Sequence, residues 1–229
     1  MSIQMGDLLF RPDAFFRRLV AEPDSLKIPA GIVLTGGIIA AGASYIVTGT
    51  YSKMFEAAAG SGMASVIGLI GAISAFIMFV VIWWGVFAGA FTVLSKAFKG
   101  SGSFRRILQV TGYGLLPVVI GSIISLFVAL YYVPMIQAPV ITSFSDPAAV
   151  QRAMEGIFQD PAFREFTMIS TAISIIFLAW SANLWIFGVQ HAQGLPTRQA
   201  AITVLIPVVI YIAYVLFMAI NGMQIFGGS

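Results

Sequence analysis

The chain has 229 residues, of which 59% are hydrophobic and 9% are charged, with a mean hydropathy of +0.96. A soluble domain carries roughly 25% charged residues, so the composition excludes a water-soluble globule. With no cysteine and one histidine, disulfides, thiolate sites and a His-paired metal site are excluded, and we expect neither a metal nor a cofactor. The basic side chains behind the net charge of +3 lie beside apolar runs, so we expect no nucleic-acid partner.

Residues 1–27 form a charged segment ahead of the first apolar run. They hold eight charged side chains and no early apolar stretch, which is not typical of a secretory signal. From Pro12 to Val20, the apolar residues share one helical face and the basic residues lie elsewhere. The pattern predicts an amphipathic helix flat on the cytoplasmic membrane surface. Its candidate contacts with lipid or a partner protein are Phe15, Phe16, Arg17 and Arg18.

Five apolar stretches follow, and each is long enough to cross a bilayer core of about 30 Å as a helix. They predict an all-α, multi-pass membrane domain over residues 28–226. Pro117 should kink the third span, and Pro207 lies inside the fifth. The spans lie at about 28–51, 65–95, 107–132, 165–190 and 199–226.

The loop charges predict the orientation of these spans. Nine of the twelve Lys and Arg residues lie on the N-terminal side of the membrane, and three lie on the opposite side. Because cytoplasmic loops carry the excess of cations, we expect a cytoplasmic N-terminus and an extracytoplasmic C-terminus. On the outer side, Asp146-Pro147 is a helix start signal and predicts a short extracytoplasmic helix.

The loop between the second and third spans is the best candidate for a contact surface. It contains four cations, no acid and interleaved aromatic residues. Such a loop can dock on anionic lipid headgroups or on an acidic patch of a protein partner. The positive-inside rule alone also explains its charge. The residues concerned are Lys96, Lys99, Phe104, Arg105 and Arg106.

The interiors of the spans carry no Asp, Glu, Lys or Arg, which argues against a pump or a proton-coupled carrier. No protease, hydrolase or nucleotide-binding motif is present, so we predict no catalytic residues and no enzyme. Asn183, deep in the fourth span, either lines a polar pathway or forms a hydrogen bond between helices. His191 follows that span without a second ligand in sequence reach, and we assign it no site.

Gly85 and Gly89 form a GxxxG pattern in the second span. Such a face mediates helix packing within a chain or between two copies. Packing within the chain is the commoner use, and the oligomeric state stays open.

Three segments together resemble the Yip domain family, membrane proteins named for interaction with Ypt/Rab GTPases in eukaryotes and also found in archaea and bacteria. The first begins at Pro12 and contains the paired phenylalanines and Leu19. The second runs from Gly100 through Gly112, Tyr113 and Pro117, as in the family's glycine-tyrosine-x-leucine-x-proline segment. The third, His191 to Ala200, resembles the connection between the family's last two spans.

The resemblance implies a five-span fold with a cytoplasmic N-terminus. Eukaryotic members carry a long cytoplasmic N-terminal region that contributes to partner contacts, and only some 27 residues precede the first span here, so we do not extend Rab binding to this chain. The leading hypothesis is a non-catalytic membrane-organising or partner-recruiting scaffold. The alternative is a channel or uncoupled transporter for a small solute, built around Asn183 and the two proline-containing spans.

Overall fold

The computed structural model describes residues 5–59, 62–137, 139–141 and 146–227, and these residues are helical apart from short connections. Long apolar runs form helices in a membrane because only internal hydrogen bonds can satisfy the backbone there. The α-helices are α1 (Met5–Phe10), α2 (Pro12–Ala21), α3 (Lys27–Ala59), α4 (Met63–Met78), α5 (Phe87–Ala97), α6 (Phe104–Gly114), α7 (Leu116–Tyr132), α8 (Pro147–Gln159), α9 (Pro161–Gln193) and α10 (Thr197–Gly227). A π-helical segment, Phe79–Val86, joins α4 to α5, and a short 3₁₀ turn, Val133–Met135, follows α7.

Five helical stretches are long and apolar enough to span a membrane, which confirms the all-α, five-span fold class. They are Lys27–Thr50, Ser65–Ala97, Phe104–Met135, Pro161–Gln193 and Thr197–Met218. Spans two to four extend up to four residues beyond their sequence-based bounds, because the helices continue into the polar flanks that a charge-free stretch leaves out. The fifth lies within α10, which continues to Gly227.

The third span is divided into two helices, where the sequence predicted one helix kinked at Pro117. The break is at Leu115, whose backbone N–H bonds to the carbonyl oxygens of Thr111 and Gly112 at 3.1 and 3.3 Å. A proline has no N–H and crowds the carbonyl four residues earlier, here that of Tyr113. In α10, by contrast, Pro207 lies inside a continuous helix.

Aspartate caps start α8 and α9. The Oδ1 atom of Asp146 accepts hydrogen bonds from the backbone N–H groups of Ala148 and Ala149 at 3.0 and 3.2 Å. Asp160 accepts in the same way from Phe163 at 3.0 Å. Each cap satisfies N–H groups that a helix start leaves open, so a helix does begin at the Asp146-Pro147 signal.

The chain divides into two compact units. The first comprises residues 1–37, 78–121 and 174–212, and the second comprises residues 38–77, 122–173 and 213–229. Nine of the twelve Lys and Arg residues belong to the first unit and three to the second. The charge bias seen along the sequence is therefore also a bias between units.

In the second unit, small and branched residues pack in two buried clusters. One contains Ile141, Ala153 and Ile157, with Val150 and Phe163 packed against it. The other contains Ala129, Val133 and Ile136. The first unit holds the three segments that carry the family resemblance, and the candidate site lies there.

Candidate functional site

The apolar face of α2 is buried in the first unit. Phe15, Phe16 and Leu19 are 1%, 0% and 2% exposed. The Phe15 ring meets the ring of Tyr113 edge to face at 5.3 Å, and a Cβ added to Gly188 would lie 3.4 Å from the Phe16 ring. The two phenylalanines, which the sequence marked as candidate lipid or partner contacts, here anchor α2 to α6 and α9. Both rings are buried by contacts with other helices of the same chain. An amphipathic pattern in the sequence does not distinguish such burial from contact with a membrane.

Charged side chains on the polar side of α2 pair with residues of α9 and α1 and with each other. His191 Nε2, near the end of α9, lies 2.8 Å from Asp13 Oδ1, and Arg17 pairs with the same carboxylate. Hydrogen bonds from His191 and Arg17 lower the pKa of Asp13 below its usual 3.8. Arg18 forms an ion pair with Asp7 that joins α2 to α1.

Arg106 holds the C-terminal end of α2. Its guanidinium donates to the backbone carbonyls of Leu19 at 3.3 Å and Glu22 at 2.8 Å, and to Gln109 Oε1 at 2.7 Å. The last carbonyls of a helix have no partner within the helix, so the contact is a C-terminal cap delivered from α6. The guanidinium is thus engaged within the chain, whereas the sequence marked Arg106 as a surface contact.

The loop between α5 and α6 is bound to the end of α9. Gly102 N–H donates to Gln193 Oε1 at 2.9 Å, and Ser101 N–H donates to the Gln193 carbonyl at 3.3 Å. A Cβ on Gly102 would lie 1.9 Å from the Ala192 carbonyl oxygen, which only glycine avoids. Lys99 has a φ of 63°, a left-handed conformation that turns the chain into this loop.

Close neighbours explain the glycines of the Gly112-Tyr113-Gly114 segment. An added Cβ on Gly114 would lie 2.2 Å from Trp185 Cδ1, and one on Gly112 would lie 2.6 Å from Pro29 Cβ and 3.1 Å from Trp84 Nε1. The indole N–H groups of Trp185 and Trp84 donate to the carbonyls of Thr111 and Leu108 at 2.9 and 2.8 Å. Glycine at these positions lets α6 approach both rings closely.

These contacts bring together the three segments that resemble the Yip family. We call their meeting point the junction: α2, residues 98–114 and the turn at residues 190–197. Phe15 with Tyr113, Asp13 with His191 and Gly102 with Gln193 join the segments in pairs. The sequence did not identify Gln193 and Gly102 as partners, because their 91-residue separation has no local signal.

The first unit also presents cations that have no acidic partner among the described residues. Three of its arginines form ion pairs: Arg17, Arg18 and Arg105, the last 3.4 Å from Asp24. Two exposed rings accompany the cations, Phe104 at 48% and Phe10 at 80% exposure. Sequence reasoning missed Phe10, which its place beside Arg11 could have signalled. The exposed cations without a described acidic partner are Arg11, Lys27, Lys96, Lys99 and Arg198.

Asn183 lies on the exposed side of α9. The buried side of that helix carries Leu184 and Trp185, both 0% exposed. The channel hypothesis was built around this amide, which the structure shows to be exposed and not packed in a core. Apart from the local helix backbone, no described atom lies within 4 Å of a Cβ added at Gly85 or Gly89, so these glycines do not serve close packing between described helices.

In the part of the chain that the structure describes, the titratable side chains do not gather into a metal site. No group of three or more His, Asp or Glu residues suited to a metal ion occurs in the described ranges. At the junction, Arg106 binds backbone carbonyls and the Gln109 side chain, and Asp13 binds His191 and Arg17.

Comparisons with known proteins identify a family for most of the chain. The sequence profile of the Yip1 domain matches residues 6–220. An uncharacterized protein of Methanocaldococcus jannaschii is 38% identical over 125 residues, which cover 55% of this chain and 87% of the relative. No solved structure matches.

Proposed function

This chain belongs to the Yip1 domain family, and we propose that it is a non-catalytic membrane-organising scaffold that binds anionic lipid headgroups at the basic end of its first unit. The observation that carries the proposal is the set of five exposed cations without described acidic partners. A cation near an anionic surface contributes about 1 kcal/mol to binding. Five such groups give a substantial electrostatic attraction.

Exposed aromatic rings accompany this charge. Phe10 and Phe104 are 80% and 48% exposed and lie at or near the ends of the short helices α1 and α6, next to Arg11 and Arg105. Rings and cations side by side favour the interfacial region of a bilayer, where the ring enters the acyl boundary and the cation meets the phosphate. This pairing favours a lipid surface over a soluble acidic partner.

The distribution of charged residues supports a cytoplasmic position for the basic end of the first unit, which the proposal requires. Nine Lys and Arg residues but only four Asp and Glu residues belong to the first unit. By the positive-inside rule, we expect the basic end of the first unit to face the cytoplasm, where the leaflet carries the anionic lipids.

The junction explains how the surface is kept in shape. Arg106, Gln193 and His191 bind backbone or side chains of other segments at 2.7–3.3 Å. Groups held in place before binding lose less conformational entropy when a ligand arrives. The junction therefore acts as the rigid support of the surface, and Lys96 and Lys99 act as its binding groups.

Native mass spectrometry of the purified protein with added phosphatidylglycerol or phosphatidylcholine tests the proposal. We expect retained phosphatidylglycerol, and about thirtyfold weaker binding in the variant Lys96→Gln/Lys99→Gln, because two cations contribute about 2 kcal/mol. The matched control is Arg152→Gln/Arg164→Gln, which removes two exposed cations of the second unit and should bind like the wild type.

Two results would count against headgroup binding. One is equal retention of the two lipids by the wild type, and the other is unchanged phosphatidylglycerol binding in the Lys96/Lys99 variant. Capture of an acidic peptide without lipid preference would assign the surface to a protein partner.

A further inference from the structure

Asn183 exposes a carboxamide at membrane depth. It lies in the candidate span Pro161–Gln193, ten residues before the end of α9, or about 15 Å along the helix axis. Its side chain is exposed, and no hydrogen bond to it occurs within the described part of the chain. By contrast, Gln109 bonds to Arg106 and Gln193 bonds to Gly102.

Hydrocarbon cannot satisfy such a group. A carboxamide has two N–H donors and a carbonyl acceptor, and lipid tails offer neither donors nor acceptors. Polar side chains in spans therefore pair across helix contacts. The exposed position of Asn183 calls for a partner from outside this chain.

The chemistry of the amide selects a second copy of the same chain. Two copies inserted in the same orientation carry Asn183 at the same depth. About a twofold axis along the membrane normal, each amide can donate to the carbonyl of the other, which forms two reciprocal hydrogen bonds. An unrelated helix would need its own donor and acceptor at this depth.

The neighbours of Asn183 have the spacing of a parallel helix pair. Ile176, Ala179, Asn183 and Ile186 follow at intervals of three, four and three residues, the heptad spacing of a left-handed pair. Ile176 is 63% exposed, Ala179 is exposed and Ile186 is half-buried. A small residue next to the amide lets the backbones approach closely.

We propose that the chain forms a parallel homodimer through this face of α9, with Asn183 of each copy hydrogen-bonded to Asn183 of the other. The contact lies at membrane depth and is separate from the basic surface. It gives each dimer two basic ends on the same side of the membrane. Failure of headgroup binding would leave the dimer proposal unaffected, because the headgroup test substitutes Lys96 and Lys99 and the dimer test substitutes Asn183.

Self-association of the full chain in lipid bilayers tests the dimer. We expect energy transfer between donor-labelled and acceptor-labelled copies that rises with the protein-to-lipid ratio. Asn183→Leu should lower the association constant about tenfold, and Asn183→Gln should largely restore it. Gly85→Leu/Gly89→Leu, on a different open helix face, should associate like the wild type.

Cysteine crosslinking gives a second measurement that does not depend on loss of association. The chain has no cysteine, so one introduced thiol is unique. With an added oxidant, Ala179→Cys should give a covalent dimer. Ile210→Cys, at a site 65% exposed on α10, should stay monomeric.

Three outcomes would overturn the proposal. The first is a wild-type chain that shows no energy transfer at any protein-to-lipid ratio, and the second is an Asn183→Leu variant that associates like the wild type. The third is loss of association in the Gly85/Gly89 variant alone, which would assign the interface to the glycine face.

Discussion

His191, near the end of α9, and Asp13, in the first turn of α2, lie 2.8 Å apart although 178 residues separate them. The contact joins the first and last of the three family segments. It also gives a structural role to the single histidine, to which the sequence assigned no site. His191 thus helps to hold α2 against α9, and we call the Asp13–His191 contact the clamp.

Asp13→Asn should weaken this clamp and remove a pH dependence in the acid range. Because the contacts with His191 and Arg17 lower the pKa of Asp13 below 3.8, the ionised carboxylate stabilises the fold above that pH. The stabilisation is lost as the pH falls through the lowered pKa. Since Asp13 is partly exposed, we expect a loss of less than about 1 kcal/mol near neutral pH.

The measurement for Asp13 is the thermal midpoint as a function of pH in detergent. Glu22→Gln is the matched control, because Glu22 is exposed and forms no ion pair with a described residue. If Asp13→Asn and the wild type lose stability in parallel below pH 3.8, the clamp does not depend on this carboxylate.

Gly102→Ala should separate the loop from α9. The new Cβ would lie 1.9 Å from the Ala192 carbonyl oxygen, and relief of the overlap requires a backbone shift that costs about 1–3 kcal/mol. Gly31→Ala is the control, because nothing lies within 4 Å of its added Cβ and alanine favours a helix interior. Thermal unfolding of both variants checks the prediction, and equal midpoints would contradict it.

Arg106→Gln should release the end of α2. The variant removes donors to the carbonyls of Leu19 and Glu22, and hydrogen bonds from a charged group contribute about 1.5–3 kcal/mol each. Hydrogen exchange of residues 12–22 should become faster. Arg105→Gln, which removes a side chain 63% exposed and 3.4 Å from Asp24, should leave that exchange nearly unchanged, and similar exchange in both variants would contradict the cap.

Trp185→Phe should destabilise the chain more than Trp180→Phe. Phenylalanine keeps much of the ring but loses the buried 2.9 Å hydrogen bond to the Thr111 carbonyl. Because that carbonyl still accepts from Leu115 N–H, the expected cost is that of one hydrogen bond, about 0.5–1.5 kcal/mol. Trp180 is half-buried and stacks on Phe177 at 6.1 Å, a contact that phenylalanine preserves. Thermal unfolding compares the two, and a larger loss at Trp180 would show that the indole bond matters little.

Pattern and structure agree where the information is local. The Asp146-Pro147 start of α8 followed from capping chemistry, and the hydrogen bonds at 3.0 and 3.2 Å confirm it. Pattern and structure disagree where the apolar face of a helix can pack against either of two partners. The apolar face of α2 fits either a membrane surface or a protein core, and its periodicity is the same in both.

The same ambiguity applied to polar groups inside the spans. Gln109 is buried and bound to Arg106, whereas Asn183 is exposed. Gln109 has a charged partner three residues earlier in the sequence, whereas the residues around Asn183 carry no charge and do not indicate which side of α9 is buried. The rotation of each helix about its own axis decides the outcome, and that rotation depends on distant packing such as Trp185 against Gly114.

The sequence by itself determined that this chain has five helical spans and a strong asymmetry of positive charge, because span length and composition are properties of consecutive residues. Only the tertiary structure decided which residues meet. Asp13 with His191, Gly102 with Gln193 and Gly114 with Trp185 are pairs from separate helices, and their contact depends on how those helices pack. The division of the basic residues into structural supports such as Arg106 and exposed groups such as Lys99 follows from that packing.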